Sequence, residues 1–134
     1  MKVMDSSVIL KWVLPEQGAD HARDFIVKHI AGDIQIHAPQ LLLYEITNVL
    51  ACKSRLTDAD LSADLADLLS LEFELSSFEL DDLLSTAELA RRHNISVYDA
   101  AYVYLAQKLN CDFITADKKL VEKTQSLPFV KLLH

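Results

Sequence analysis

Five short apolar runs alternate along this chain with longer stretches whose apolar residues recur at helical spacing. Leucines at positions 61, 65, 68 and 69 show that spacing, and so do apolar residues between positions 80 and 90. Strands separated by helices pair in parallel, because each crossover returns the chain to the same edge of the sheet. We therefore predict an α/β fold with helices on both faces of a mostly parallel sheet. The predicted strands are residues 2–5, 34–37, 73–76, 112–115 and, less regularly, 129–132.

The stretch between residues 38 and 70 is long enough for two helices joined near "SRLTDAD". We interpret it as a helical hairpin inserted between two strands, with Thr57 or Asp58 as the N-cap of its second helix. With 134 residues, 51% of them hydrophobic, the chain can bury a core, and it contains no linker or repeat. The prediction is a single domain over residues 1–134.

The balance of charge restricts the ways in which the chain could meet nucleic acid. Thirteen Lys and Arg against twenty Asp and Glu give a net charge of −7. Proteins that coat nucleic acid do so with basic side chains, so this balance argues against that class. A catalyst that meets phosphates through bound metal ions remains compatible with it.

No apolar run approaches the roughly 20 residues of a membrane span, and the N-terminal "MKVMDSSVIL" has neither the long apolar core nor the cleavage site of a signal peptide. A cytoplasmic protein is expected. Cys52 and Cys111 stand singly in apolar surroundings, so they form neither a redox pair nor a zinc-ligand pair, and we predict buried free thiols.

Four acidic residues stand where predicted elements begin or end, and each has a simple structural explanation. Asp5 and Asp117 follow strands and could cap the next helix, the latter one beginning at Lys118. Asp99 lies in the first turn of an almost wholly apolar helix, residues 97–109, where the helix dipole favours a carboxylate. Glu45 lies at the edge of an apolar stripe and could be solvated. Taken singly, none of the four indicates a function.

Taken together, the four acids indicate a metal site. In an open parallel sheet, ligands bind outside the carboxyl ends of the strands, near the point where strand order reverses. Asp5 and Asp117 follow strands at that edge, and Asp99 and Glu45 lie on helices that can reach it. Four converging carboxylates repel one another and have raised pKa values unless a cation neutralises them. Oxygen ligands of this kind suit Mg²⁺ or Mn²⁺.

The segments that carry these acids resemble the PIN-domain family, in particular the VapC type of toxin ribonucleases. The matching segments are "MDSSVILKWVLPE", "APQLLLYEITNVL", "ISVYDAAYVYLA" and "FITADKKL", which together span almost the whole chain. The resemblance implies a three-layer α/β/α fold with a four- to five-stranded parallel sheet. It also implies a metal-dependent endoribonuclease that forms a homodimer and is held inactive by a small VapB-type antitoxin.

By position, Asp5, Glu45, Asp99 and Asp117 match the acidic quartet of that family. The resemblance also assigns supporting roles, to Thr115 as the hydroxyl before the last acid, to Ser6 or Ser7 as the hydroxyl after the first, and to Asn48 beside the glutamate.

Phosphodiester hydrolysis requires an activated water, neutralisation of developing charge and stabilisation of the departing oxygen, and two metal ions can supply all three. Our hypothesis makes Asp5 a direct or bridging ligand and lets Asp99 and Asp117 hold metal directly or through water. Glu45 would bind or orient the attacking water. Thr115 and Ser6 would fix carboxylate rotamers or a ligated water.

Several basic and aromatic residues flank the predicted site. Lys118 and Lys119 directly follow Asp117 and are the stronger candidates for contact with RNA phosphates. Trp12 and Tyr98 could stack on a base, although apolar periodicity favours packing roles for both. The weaker basic candidates, for which ordinary solvated surface is the simpler interpretation, are Lys11, Lys53 and Arg55.

Other classes of protein fit the sequence less well. A haloacid-dehalogenase-type phosphatase needs D-x-D after its first strand, where this chain has Asp5-Ser6-Ser7, and a receiver domain needs an adjacent acidic pair that is absent. The histidines show no metal-ligand spacing, and no Ser or Cys has a partnered base. The remaining alternative is a non-catalytic binding module or scaffold in RNA metabolism, in which the acids are caps or salt-bridge partners.

Overall fold

The structure is a computed structural model that describes residues 1–14, 16–53 and 55–134, with the backbone alone at Lys53. Its five strands form one sheet in the order β3-β2-β1-β4-β5, and all four pairings are parallel. The predicted parallel α/β fold is confirmed, and the predicted strands are correct to within about two residues. The strands are β1 (Lys2–Met4), β2 (Ile36–Pro39), β3 (Glu74–Ser76), β4 (Asp112–Thr115) and β5 (Val130–Leu132).

Helices fill the connections between the strands. Two of them, α3 and α4, occupy the stretch between β2 and β3, as predicted, and Thr57 is the N-cap of α4, its side chain accepting a hydrogen bond from the backbone N–H of Asp60. The helix α1 continues as a 3₁₀ turn (Leu10–Trp12), and α3 continues as a π-helical turn (Val49–Lys53). The helices are α1 (Ser6–Ile9), α2 (Ala19–Ile30), α3 (Leu41–Asn48), α4 (Asp58–Ser70), α5 (Leu80–His93), α6 (Val97–Leu109) and α7 (Lys118–Lys123).

The strand order creates a switch point between β1 and β4. From β1 the chain moves through β2 to β3 at one edge, and it then crosses back to β4 and β5 on the other side. Because crossovers between parallel strands are right-handed, α1 to α4 cover one face of the sheet and α5 to α7 the other. The crevice outside the carboxyl ends of β1 and β4 is where folds of this kind bind ligands.

The helix α6 is the centre of its layer, and it packs against β1, β2 and β4 as well as against α5. Its Ala100 and Ala106 are fully buried, so the helix can approach the sheet closely. The Tyr102 ring stacks on Phe113 of β4 with the ring centroids 5.7 Å apart. This packing explains why the helix is apolar on nearly every side, and it fixes the position of its first turn against the sheet edge.

Two predictions about packing need correction, and a third is confirmed. Cys52 is exposed, because Leu50 takes the buried position of the π-helical turn, and Cys111 is only half-buried. Tyr98 is 63% exposed, so most of its side chain is not packed within this chain. Trp12 does pack against the core, and the guanidinium of Arg23 lies 4.9 Å from the centre of its ring.

Within the described ranges, no helix is both long enough and apolar enough to cross a membrane.

Candidate active site

Asp5 lies at the carboxyl end of β1 and is the most enclosed acid of the predicted quartet, with 7% of its surface exposed. It is the N-cap of α1 and accepts a hydrogen bond from the backbone N–H of Ser7 at 3.1 Å. The Ser7 hydroxyl donates to the same oxygen, Oδ1, while the Thr115 hydroxyl donates to Oδ2 at 2.6 Å. Burial raises the pKa of Asp5 to about 6 despite these two hydroxyl donors, and the nearby carboxylates of Glu45 and Asp99 contribute to the rise.

The two hydroxyls also tie the end of β4 to the end of β1. Ser7 Oγ accepts the backbone N–H of Ala116 at 2.9 Å, and Thr115 Oγ1 accepts that of Asp117 at 3.2 Å. Of the two serines proposed for the hydroxyl after the first acid, Ser7 therefore makes the contacts. Ser6, the first residue of α1, makes no side-chain hydrogen bond within the described part of the chain.

Glu45 projects from α3 and is half-buried rather than solvated at the edge of its helix. Its Oε1 accepts a short hydrogen bond from the Tyr102 hydroxyl of α6. Burial raises the pKa of Glu45, with a further contribution from the charge of Asp99, and the Tyr102 hydrogen bond opposes both effects. Glu45 is thus held toward the same edge of the sheet as Asp5 and Asp99.

Asp99 lies in the first turn of α6, but it does not cap that helix. The N-cap is Ser96, whose hydroxyl accepts the backbone N–H of Asp99 at 3.0 Å. The Asp99 carboxylate is half-buried, and burial together with the neighbouring charge of Asp117 raises its pKa. Ser96 is therefore the cap of this helix, and a side-chain hydrogen bond with Ser96 opposes the rise in the pKa of Asp99.

Asp117 is the most open of the four acids. It is the N-cap of α7, and its Oδ1 accepts the backbone N–H of Leu120 at 3.2 Å. Its side chain is exposed, and its charge acts on Asp99. The capping explanation is correct for Asp117, yet it occupies only one of the two carboxylate oxygens.

The four acids influence one another electrostatically in a connected series. Asp5 is affected by Glu45 and Asp99, Glu45 by Asp99, and Asp99 by Asp117. An all-oxygen set of this kind has the chemistry that a hard divalent cation requires. As the side chains stand, no three acidic, His or Cys residues among those described are grouped closely enough to hold a metal ion. The donor set fits Mg²⁺ or Mn²⁺, and closure around an ion would require the carboxylates to draw together.

Most of the other predicted site residues have exposed side chains. Asn48 ends α3 and is exposed, as are Lys118 and Lys119 at the start of α7. Arg55 is exposed in the segment before α4. The side chain of Lys53 lies outside the described residues.

Lys11 does not lie on solvated surface, which corrects the simpler interpretation of this residue. It is 8% exposed, and its ammonium group donates to the backbone carbonyl of Gln17 at 2.5 Å. The same group forms an ion pair with Glu16 at 3.3 Å.

Tyr102 is a site residue that the sequence analysis did not single out. Its phenol donates to Glu45, and burial, followed by the charge of that carboxylate, raises its pKa, so the phenol keeps its proton. The sequence feature that could have identified Tyr102 is its spacing from Asp99, because residues three apart lie on the same face of a helix. The "YDAAY" segment contains both residues.

Comparison with known proteins identifies the family to which this chain belongs. The family model described as PIN domain matches residues 2–125. Ribonuclease VapC3 of Pyrobaculum aerophilum is 31% identical over 129 residues, which are 93% of this chain and 95% of that protein. The chain therefore belongs to the PIN-domain family.

Solved structures share the fold at lower identity. A toxin-antitoxin complex from Klebsiella pneumoniae contains a chain with a TM-score of 0.73 and 15% identity, covering 100% of this chain and 98% of that one. A crystal structure of a Pyrobaculum aerophilum protein gives a TM-score of 0.71 and 24% identity, covering 98% and 90% of the two chains.

The buried carboxyl of Asp5 makes a prediction about pH. Its pKa is about 6 in the folded chain against an ordinary value of 3.8, so the folded state binds the proton more tightly than the unfolded state. The free energy of unfolding should therefore fall as pH rises through this interval. Asp5→Asn removes the charge and keeps a good N-cap. In metal-free solution at pH 7 we expect it to be more stable than the wild type, by up to about 3 kcal/mol, at about 1.36 kcal/mol per pKa unit.

Urea unfolding in EDTA over a series of pH values measures this difference, which should shrink toward pH values of about 4. Asp24→Asn, at an exposed position of α2, is the matched control and should follow the wild type. An Asp5→Asn protein that is less stable than the wild type at pH 7 would show that its hydrogen bonds outweigh the cost of burying the charge.

Proposed function

We propose that this protein is a metal-dependent endoribonuclease of the VapC type and the toxin component of a toxin-antitoxin pair. The observation that carries the proposal is the electrostatically coupled set of four carboxylates at the switch point, with Asp5 buried and its pKa raised. Keeping several carboxylates together is costly without a cation. The similarity to a protein named Ribonuclease VapC3 across almost the whole chain supports the choice of RNA as substrate.

Asp5, Asp99 and Asp117 are the residues proposed to hold Mg²⁺ or Mn²⁺, with Glu45 at the edge of the set. When bound, such an ion supplies charge neutralisation and a more acidic water for hydrolysis. Ser7 and Thr115 contribute by fixing both oxygens of Asp5 before any ion arrives. This preorganisation reduces the loss of side-chain freedom on binding.

Glu45 is proposed to orient the attacking water and to accept its proton. It is half-buried, its pKa is raised, and among the described residues Tyr102 is its one side-chain donor. Because a carboxylate has room for about four hydrogen bonds, Glu45 can accept from Tyr102 and from a water molecule together. A raised pKa also makes it a better base than an ordinary surface glutamate.

An antitoxin of the VapB type is proposed as the partner that keeps the enzyme inactive. The carboxylates at the sheet edge, in a chain of net charge −7, would attract a partner segment that carries arginine. An arginine side chain there would occupy the oxygens that a metal ion requires. The similarity of the fold to a chain in a toxin-antitoxin complex supports this proposal.

A homodimer is proposed through the apolar face formed by α5 and the start of α6. Leu80, Leu83, Leu84, Val97 and Tyr98 are 47% to 71% exposed there. A cavity of about 230 Å³ lined in part by Leu83, Val97 and Tyr98 interrupts this face and could receive a side chain of a second copy. Contiguous apolar exposure of this kind marks an interaction surface, and a two-fold dimer buries the same patch on both chains.

The alternative function is a non-catalytic binding module in RNA metabolism. Two observations favour it. Asp5 and Asp117 both cap helices, and no three of the described carboxylates lie close enough together to bind a metal ion without moving. It predicts that the protein responds weakly to divalent ions.

Metal binding is tested by the melting temperature with and without Mn²⁺. Binding to the folded state alone adds about 2.7 kcal/mol of stability at a hundredfold excess over the dissociation constant. We expect this rise in the wild type and its loss in Asp99→Asn and Asp5→Asn, because each variant removes a charged oxygen ligand. Asp24→Asn should keep the rise. In an RNase-free preparation with Mg²⁺, RNA cleavage should likewise be lost in the two site variants alone.

If Mn²⁺ does not change the melting temperature of the wild type, although the site variants are folded, the nuclease proposal is contradicted and the binding module is favoured.

The dimer is tested by placing a charge on the apolar face. Leu83→Glu should shift the protein from dimer to monomer in analytical ultracentrifugation, because a buried carboxylate at a two-fold interface meets its own copy. Leu69→Glu on α4 is the control, since Leu69 is equally exposed but belongs to the opposite layer. Equal sedimentation of the two variants and the wild type would contradict this interface.

The antitoxin is tested by isolating the chain at native expression level from its host. A small protein should co-purify, and the complex should cleave RNA only after that protein is removed. Excess Mn²⁺ should weaken the complex if partner and ion compete for the same carboxylates. Recovery of the chain without a small partner would contradict the proposal.

A further inference from the structure

A cavity of about 380 Å³ opens directly beside the acidic site and has the opposite charge character. Its polar lining includes Lys11, His21 and Lys118, while Leu132, Leu133 and His134 form another part of the wall. Ala116, which also lines it, stands between Thr115 and Asp117 in sequence. The carboxylates and the cationic cavity therefore share the segment that leaves β4.

Lys11 gives this cavity a fixed positive charge. Its side chain is largely buried, and its ammonium group is held by the Gln17 carbonyl at 2.5 Å and by the Glu16 carboxylate at 3.3 Å. A lysine held in this way does not lose rotamer freedom again when an anion binds, unlike a mobile surface lysine. Lys118 supplies the second ammonium group from an exposed position.

Gly18 lines the cavity next to Lys11. It is the N-cap of α2 in the left-handed region, with φ of 82°, which disfavours any residue with a side chain. A Cβ at this position would make ordinary van der Waals contacts, 3.7 Å from Leu133 Cδ2 and 3.8 Å from Lys11 Cε, so the backbone conformation rather than a lack of space favours glycine. Within the described residues no side chain caps α2, so the positive end of its dipole also faces this region, partly offset by Asp20.

Within the described ranges, Glu16 is the carboxylate that pairs with the Lys11 ammonium, and it does so from an exposed position. Its side chain is 49% exposed, against 9% for that of Lys11. An ion pair with one solvated member is weak, so a more highly charged anion can replace the carboxylate. Glu16 thus acts as a displaceable counterion rather than a permanent part of the cavity.

We propose that this cavity is a subsite for a backbone phosphate of single-stranded RNA, next to the phosphodiester that the acidic site cleaves. Lys11 and Lys118 bind the phosphate, and Glu16 gives way to it. The inference rests on the proposed ribonuclease function for the identity of the strand. The position beside Asp117 favours RNA over an unrelated anion, because a strand with one phosphate at the acidic edge carries its neighbours past this opening.

The test measures binding of a short fluorescein-labelled single-stranded RNA by anisotropy in EDTA, where no metal-dependent cleavage occurs. Lys118→Gln should weaken binding about three- to tenfold and reduce the slope of log affinity against log salt by about 0.7, the value for one phosphate contact on a single strand. Lys28→Gln, at an exposed lysine near the far end of α2, makes the same charge change and should alter affinity less than twofold.

Glu16→Gln gives the result that a general charge effect does not reproduce. Removing the displaceable counterion should strengthen RNA binding about two- to fivefold, whereas Asp24→Asn, an equal charge change outside the cavity, should have a smaller effect. Lys11→Gln should weaken binding as well. Because Lys11 is buried, however, this substitution also affects folding, so the test relies on the variants of the exposed residues Lys118 and Glu16.

A parallel titration with inorganic phosphate identifies the source of the anion. If Lys118→Gln and Glu16→Gln alter phosphate binding and leave RNA binding unchanged, the cavity serves a free anion and the proposal is overturned. Unchanged binding of both probes overturns it too.

Steady-state cleavage separates this inference from the proposed function. If the wild type cleaves RNA and Lys118→Gln raises KM with little change in kcat, both the ribonuclease function and the phosphate subsite are supported. If the wild type cleaves RNA and neither Lys118→Gln nor Glu16→Gln changes KM, the ribonuclease function is supported and the subsite proposal is contradicted. If nothing is cleaved but the anisotropy results hold, the subsite for RNA phosphate stands without the nuclease.

Discussion

The hydrogen bond from Thr115 to Asp5 joins two strand ends that are 110 residues apart in the chain. It exists because β1 and β4 are parallel neighbours in a register that sets Met4 beside Ile114, so the next residues of each strand meet outside the sheet. Ser7 completes the connection by bonding to Asp5 and to the backbone of Ala116. The location of the candidate site thus follows from strand order, and its rigidity follows from these two hydroxyls.

Capping and ligand binding are compatible roles for the same carboxylate. Asp5 accepts from one backbone N–H and two hydroxyls, which leaves about one of its four lone-pair positions open, and Asp117 caps α7 through Oδ1 alone. A cap fixes the side-chain rotamer at a strand end, and in a parallel sheet that is where ligands bind. Asp99 differs, because the N-cap of its helix is Ser96 and not Asp99 itself.

The sequence allowed the prediction of whatever depends on local pattern. The helix α6 was predicted with its observed bounds because its residues form a nearly continuous apolar pattern, and β4 was predicted equally well. The four acids could be grouped because strand ends in a parallel sheet share one edge. What local pattern does not determine is the rotation of each element against its neighbours. The bond from Tyr102 to Glu45 joins two helices 57 residues apart, and the choice of Ser7 over Ser6 depends on the geometry of one turn.

Because local sequence does not determine how elements pack, it also did not reveal the environment of the basic residue Lys11. That environment matters for how an acidic protein could bind a polyanion. By sequence, Lys11 resembled any solvated lysine, whereas the fold buries it against Gln17 and pairs it with Glu16. Net charge sums over the whole surface, but a bound strand responds to charges within about a Debye length, roughly 8 to 10 Å at physiological salt. A fixed ammonium beside a carboxylate cluster therefore matters more to a phosphate at that edge than the distant acids of α4 do. If the chain binds RNA as proposed, the cations of the protein would hold the strand, and the carboxylates would need their own cation before a phosphate could approach them.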